Sequence, residues 1–317
     1  MANSTLPNIN GYQLLENWST SGSCRWSFAQ KNGQQWFIKQ FMAPKYKRIE
    51  DGISAKKVEQ SRKRCEAFRE AQTALYNQIK EANTGNIVAV DSFFSFESMF
   101  YAVTERVDIS SASVSDVSLM EHDRKMILLK VLTHSINSLH KRGVVHADLK
   151  PDNVLIKKTK IGYTLKLIDF DASFLESQPK RGEQICFDVS FVAPETITAY
   201  NDESISLTSK IDIFALGLLF HLYYSGNMPE IPEDYSNTCG AVSDGVLPKI
   251  DPSIPDWLRR LITDMLSLNP DDRPNSEQVF QALIKQSYLG GNNTVTIPVP
   301  PTVKKGFHLP PKLSDGC

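Results

Sequence analysis

Apolar positions along this chain follow two different periods, and the change falls near residue 105. Before it, short aromatic and β-branched runs dominate. Residues 26–30 and 36–41 read as strands on either side of Asn32-Gly33, a dipeptide suited to a tight hairpin turn. Residues 87–94 and 99–105 are two further strand candidates. Between the two pairs, residues 61–80 predict a helix that Asn83-Thr84-Gly85-Asn86 ends. Residues 45–64 carry Lys45, Lys47, Arg48, Lys56, Lys57, Arg62, Lys63 and Arg64. That run reads as a solvated basic loop and helix entry, with a docking surface for an acidic partner as the alternative.

After Asp108 the period becomes helical. Residues 110–118 are Ser-rich and read as a loop, after which Ile127, Leu128, Val131, Leu132, Ile136 and Leu139 form one apolar stripe. Residues 153–156 and 164–168 predict two short strands around a Lys-rich turn ending at Gly162, and beyond Pro194 the chain reads mainly helical to residue 289. Pro298, Pro300, Pro301, Pro310 and Pro311 mark residues 290–317 as a flexible tail or linker, partly polyproline II. Such a tail can tether a further domain or offer a proline-rich ligand to a partner. The layout expected is a small β-rich lobe over 1–105, a larger helical lobe over 106–289 and a tail.

Composition narrows this little. Apolar residues make up 41% and charged residues 22% of 317, ordinary for a globular protein. A net charge of −1 favours neither nucleic acid nor an anionic membrane. Five scattered cysteines without a C-x-x-C pair argue against a disulfide framework or a zinc site and suit a reducing compartment. The N-terminus lacks the pattern of a secretory signal, and the longest apolar run, residues 211–224, is interrupted by Asp212 and His221 and too short to span a bilayer. A soluble, cytoplasmic protein is the expectation.

Chemistry concentrates in His146-Ala147-Asp148-Leu149-Lys150-Pro151-Asp152-Asn153, bounded by an apolar helix before it and a strand after it. Asp169-Phe170-Asp171 follows at the end of the next strand. Asp148, Asn153 and Asp169, delivered by loops and strand ends, suit magnesium, a hard cation that takes few protein ligands beside phosphate oxygens.

These segments resemble the eukaryotic-like serine/threonine protein kinase family, over residues 12–288. The resemblance implies an α+β, bilobal kinase-like fold that uses ATP with Mg²⁺, or Mn²⁺ in its place, and acts on protein substrates the sequence does not name. It implies Asp148 as the residue that accepts the substrate hydroxyl's proton, Asn153 and Asp169 as metal holders, and Lys150 as the cation steadying the transferred phosphate. Lys39 matches the strand lysine on the α/β-phosphates, with Glu70 as its helical ion-pair partner and Glu66 as the fallback. Thr104 falls at the gatekeeper position, and Glu105 to Val107 on the hinge facing adenine. His146 belongs to the same catalytic-loop motif. Glu195 of Val192-Ala193-Pro194-Glu195 looks like the end of the activation segment, Arg273 like its salt-bridge partner, and Asp212 like the residue of the helix that anchors the catalytic loop.

Four departures from the family pattern matter. The phosphate loop reads Ser19-Thr20-Ser21-Gly22-Ser23-Cys24-Arg25-Trp26, so Ser21 and Gly22 stand where several glycines are usual and Trp26 where a valine covers adenine. Phe37 replaces the alanine two residues before Lys39. Ala147 replaces the arginine that receives an activation-loop phosphate, which implies activity without such phosphorylation. Asp171 replaces a glycine and should restrict a backbone flip, while Asp188 falls near the acceptor, where it could pair with Lys150 or favour a basic substrate. An active serine/threonine kinase, a pseudokinase acting as a nucleotide-sensing or scaffolding domain, and a kinase-fold enzyme with another acceptor or transferring AMP all remain open from sequence.

Overall fold

The computed structural model describes residues 6–22, 24–48, 52–107, 112–159 and 162–289. The expectation of a flexible tail over 290–317 falls outside them.

The first half builds one twisted antiparallel sheet: β1 (Asn8–Ile9), β2 (Tyr12–Leu14), β3 (Ser19–Ser21), β4 (Cys24–Lys31) and β5 (Gln34–Phe41), then helix α1 (Ala55–Ala82), then β6 (Val90–Phe96) and β7 (Met99–Glu105). Strand order is β1-β2-β4-β5-β7-β6, with β3 also paired to β4. Asn32 and Gly33 take φ of 53° and 77°, so β4 and β5 are joined by the hairpin the dipeptide predicts. On the outer face, Ile9, Tyr12, Leu14, Ala29, Ile38, Tyr101 and Val103 form a separate buried cluster beneath Trp18 and Trp36. The other face packs against α1 through Phe41, Phe68, Phe93 and Phe100.

Helix α1 begins earlier than its apolar pattern predicts. Arg62 pairs with Glu59 at 2.8 Å and with Glu66 at 2.7 Å, the three- and four-residue spacings that support a helix from its surface. Lys56 and Lys57 therefore lie exposed on a helix and not in a loop, continuous with Arg62, Lys63 and Arg64 in the helix that the sequence predicts. The expected strand over 87–94 starts late, because residues 86–88 bond to Leu167: Val88 N donates to Leu167 O at 2.9 Å and Leu167 N to Asn86 O at 2.7 Å. Those bonds tie the two halves of the molecule together.

The second half is helical around a small β insert: α2 (Val114–Ser118), α3 (His122–His140), β8 (Val144–Val145), β9 (Val154–Thr159), β10 (Gly162–Leu167), β11 (Phe174–Leu175), α4 (Pro194–Asn201), α5 (Lys210–Ser225), α6 (Thr238–Ser243), α7 (Asp256–Met265) and α8 (Ser276–Leu289). The Ser-rich stretch expected as a loop contains α2, because Ser113 and Asp116 form a reciprocal capping box. Residues 110 and 111 of that stretch are outside the description. Helix α5 is buried along almost its whole length, packed among α2, α3 and α7. Among the described residues no helix is long and apolar enough to cross a membrane.

Arg273 is fully buried. Its guanidinium meets Glu195 with two bonds, at 2.6 and 2.8 Å, and donates further to the carbonyls of Ser267, Lys210 and Leu268. Removing one member of such a pair leaves a bare buried charge. Glu195→Ala is therefore expected to destabilise the helical half by about 3–5 kcal/mol, read as a lower urea midpoint by a fluorescence or circular-dichroism melt.

Candidate active site

Catalytic geometry starts in the core of the helical half. Asp212, 1% exposed on α5, accepts from the consecutive backbone N–H groups of His146 at 2.7 Å and Ala147 at 2.8 Å, and meets His140 Nε2 at 3.0 Å. Burial alone would raise its carboxyl, but the bond to His140 and the neighbouring donors outweigh that and hold it below the usual carboxylate range. The grip bends the chain so that Ala147 sits at φ 65°, a left-handed conformation a non-glycine residue needs such bonds to keep. His146 is fully buried and burial keeps it below the ordinary imidazole value. Its Nε2 lies 3.2 Å from Ile168 O, and its Nδ1 accepts from Asp148 N at 3.3 Å. Asn153 Nδ2 donates to Asp148 O at 2.7 Å and to Asp148 Oδ2 at 2.8 Å. The loop thus delivers one carboxylate, Asp148, with its amide neighbour bonded to it, at the base of the cleft between the halves.

Across the cleft, Lys39 Nζ lies 3.1 Å from Asp169 Oδ1 and 2.7 Å from Asp171 Oδ2. Burial would lower the ammonium's pKa, but the two carboxylates outweigh it and raise the group above the ordinary lysine value. Burial likewise opposes ionisation at both acids. Attraction to Lys39 wins at Asp169, which is held low, while Asp171, which also faces Asp169, is pushed up.

The expected partnership of Lys39 with Glu70 is not formed. The face of α1 turned inward carries Ser61, Cys65, Leu75, Tyr76 and Ile79, with Phe68 and Gln72 half-buried on the same stripe. At 3.6 residues per turn Glu70 falls on the opposite side and is exposed. The fallback, Glu66, pairs with Arg62 instead. The helical register carries both carboxylates away from the strand lysine.

The cleft ceiling is aromatic. Trp26 on β4 is the cross-strand partner of Lys39, and Phe28 is that of Phe37. The Trp26 and Phe37 rings stack at 5.5 Å, and Phe28 meets Phe37 edge-on at 6.0 Å. Phe28 was not among the sequence candidates, although the strand period of two places it on Trp26's face. Thr104 pairs with Phe37 at the end of β7. Glu105 binds Lys166 on β10 at 3.1 Å, and the Arg106 guanidinium lies 4.0 Å above the Phe28 ring, so the hinge is tied to both halves before the half-buried Val107. Ser21 and Gly22 stand at the tip of the β3–β4 hairpin. Gly22 has φ 54°, a left-handed conformation that suits glycine at the turn.

On the acceptor side, Lys150 Nζ lies 3.1 Å from Asp148 Oδ2 and 3.6 Å from Asp188 Oδ2. Beside Asp148 opens a shallow depression lined by Phe187, Asp188, Phe191, Val192, Thr196 and Ile211 among others. The segment that forms its rim is tied down by its own contacts. Lys180 Nζ donates to Asp171 O at 2.7 Å, Arg181 donates to Glu203 O, Phe187 meets Tyr200 edge-on at 5.8 Å, and Glu195 closes on Arg273.

The donor set fits a hard cation bound together with a nucleotide. Asp169 supplies a carboxylate, and Asn153 spends its amide nitrogen on Asp148, which leaves Oδ1 as an oxygen donor. Ile168 N bonds Asn153 O at 3.0 Å, joining the two loops that carry them. Among the described residues no group of three or more His, Cys, Asp or Glu could hold a metal ion by itself.

The protein kinase domain family matches residues 40–285. Of known proteins, the ovarian-specific serine/threonine-protein kinase Lok of Drosophila melanogaster is 29% identical over 178 residues, 55% of this chain and 37% of Lok. Serine/threonine-protein kinase cds1 of Schizosaccharomyces pombe is 27% identical over 212 residues, 64% of this chain and 45% of cds1. Serine/threonine-protein kinase GG21441 of Drosophila erecta is 25% identical over 244 residues, 74% of this chain and 32% of that protein. This chain spans less than half the length of each.

Asp212→Asn preserves shape but replaces a charged acceptor of two buried N–H groups. A charged hydrogen bond is worth about 1.5–3 kcal/mol, so turnover is expected to fall roughly ten- to a hundredfold in a steady-state assay. The depressed carboxyl also stabilises the fold at neutral pH, and that contribution is lost as pH falls from the ordinary carboxylate range, near 3.9, through the lower folded value. Acid titration of the variant should accordingly show a shallower loss of stability below about pH 4 than the parent.

Proposed function

This chain belongs to the protein kinase family, and on that footing we propose that it transfers the γ-phosphate of ATP to serine and threonine hydroxyls of protein substrates. The observation that carries the reading is the convergence of Asp148, Asn153, Asp169 and Lys39 on one cleft, with Lys150 on the acceptor side. The names of its relatives support serine and threonine as acceptors, and Lys150 two residues after Asp148 agrees with them.

Phosphoryl transfer asks a protein mainly to align donor and acceptor and to spread charge. Lys39 takes the α/β-phosphates from the ceiling, and Asp148 orients the attacking hydroxyl and accepts its proton. Lys150, raised above its ordinary value by Asp148 and Asp188 against the opposing effect of burial, neutralises the moving phosphoryl group. Asn153 and Asp169 would hold magnesium, which when bound supplies Lewis-acid charge to the phosphate oxygens. Trp26 and Phe37 would stack on the adenine. The same rings support a second reading, a nucleotide-sensing domain without transfer.

Activity needs no phosphate on the activation segment in this proposal. Ala147 offers no cation to receive one, and Lys180, Arg181 and Glu195 already hold the segment. Ser173 is buried with its hydroxyl on His146 O, which leaves Ser177 and Ser190 as exposed hydroxyls between Asp171 and Val192. Treatment with a phosphatase is expected to leave turnover unchanged; loss of activity would refute this part.

The primary test is incubation with ATP labelled at the γ-phosphate, Mg²⁺ and a generic basic protein. Label should appear on serine or threonine, and Asp148→Ala or Asp169→Ala should lower transfer by about 10²-fold or more, roughly 3 kcal/mol of barrier. ATP binding without transfer or ADP release would favour the sensing domain, and label from the α-phosphate would indicate transfer of AMP. Trp26→Ala should weaken ATP binding about 5- to 30-fold by titration, the loss of a stacked ring worth about 1–2 kcal/mol.

A further inference from the structure

We infer that Asp171 is the positioning residue for Lys39, holding the ammonium in place of a carboxylate from α1 and keeping it when Asp169 turns to a metal ion. The inference rests on the kinase reading above and concerns a residue that the family pattern makes a glycine.

Its basis is geometric. Lys39 has two carboxylates within bonding distance, and the closer is Asp171, at 2.7 Å against 3.1 Å for Asp169. The side chain is only 13% exposed, so the ammonium requires a counter-ion that stays. Asp169 cannot be that group throughout the reaction. If Asp169 held a divalent cation, most of its charge would be committed there. Helix α1 has nothing to offer instead. Its inward stripe is Ser61, Cys65, Phe68, Gln72, Leu75, Tyr76 and Ile79, none of them a carboxylate. Glu66 and Glu70 are carried outward by the helical register.

Asp171 is also well fixed for the task. Lys180 Nζ grips its carbonyl at 2.7 Å, and its own N–H donates to Asp169 Oδ1 at 3.3 Å. A glycine here would have no side chain to reach Lys39. The consequence is an ion pair between β5 and the segment after β10 that forms without any movement of α1. Readiness of Lys39 is thereby separated from the position of the helix.

Two measurements test this. The first is a double-mutant cycle on thermal unfolding of the protein without nucleotide or metal, using Lys39→Met, Asp171→Asn and the double variant. Coupling is expected, with the double variant losing clearly less in midpoint than the sum of the singles, while the Lys39→Met and Glu70→Gln pair should be additive. The second is steady-state kinetics of Asp171→Gly and Asp171→Asn. Both should lower kcat at least tenfold while the KM for ATP moves less than about threefold, because the loss is of lysine alignment in the transition state. Asp171→Gly, which brings the motif to the family's usual residue, should thus impair the enzyme. Additivity between Lys39 and Asp171, or wild-type kcat in Asp171→Gly, would overturn the inference. Absence of transfer by the unmodified chain would instead count against the kinase reading, and the unfolding cycle would still decide the pairing.

Discussion

A single buried carboxylate governs the shape of the catalytic loop. Asp212 comes from a helix that is otherwise almost wholly apolar, and at that depth an unpaired charge costs several kcal/mol. Among the described residues it is satisfied by His140 and by two successive N–H groups of the loop. Loop and helix therefore depend on each other: displacing one strands buried polar groups on both. The mutual grip holds Ala147 in its left-handed conformation, and from that bend follow the direction of Asp148 and its bonding to Asn153. Precision at the acceptor side is thus a property of the helical core.

A second polar brace, Arg273 with Glu195, does for the activation segment what Asp212 does for the catalytic loop. Five donors fork into a carboxylate and three carbonyls, so the segment's end is set by a group with no slack. With the far end tied by Lys180 and Arg181, the rim of the acceptor depression is held at several points. Rigidity there comes from contacts within the chain, which is consistent with the absence of an arginine beside Asp148.

Most of this was legible in the sequence, for identifiable reasons. The Asn32-Gly33 hairpin and the stripe of α3 carry strong local periods and form where predicted, whereas β9 and β10 run on into the expected Lys-rich turn, so that Lys157, Lys158 and Gly162 are strand residues. The chemistry of Asp148, Asn153, Asp169, Asp212, Glu195 and Arg273 sits in short motifs whose residue types leave few alternatives. What failed was a long-range assignment made without helical phase. Glu70 was chosen as a carboxylate at plausible distance along the chain, but the inward stripe runs through Phe68 and Gln72. Applying the 3.6-residue period from Cys65 and Ile79 would have excluded it. Phe28 was missed for want of the same step at period two. Conversely, α2 and the early start of α1 depend on a capping box and on surface ion pairs, which an apolar pattern does not register.

The departures from the family pattern gather on the nucleotide side and bear on one group. A hairpin tip with a single glycine presents fewer backbone N–H groups for close approach to phosphate. On the proposed kinase reading, the share of phosphate charge carried by Lys39 would then rise, and so would the benefit of holding it in place beforehand. Lys39 is the group that the other changes surround: Trp26 is its cross-strand partner, the Phe37 ring lies 5.9 Å from its ammonium, and Asp171 is its nearest carboxylate. Bulky rings on the ceiling also exclude water, which strengthens a charge pair beneath them. Taken as isolated losses, a missing glycine, an added ring and an added acid each resemble decay of a nucleotide site. Taken together they fit, on the proposed reading, one altered arrangement in which an ammonium fixed by its surroundings would take over part of the work of a flexible glycine loop.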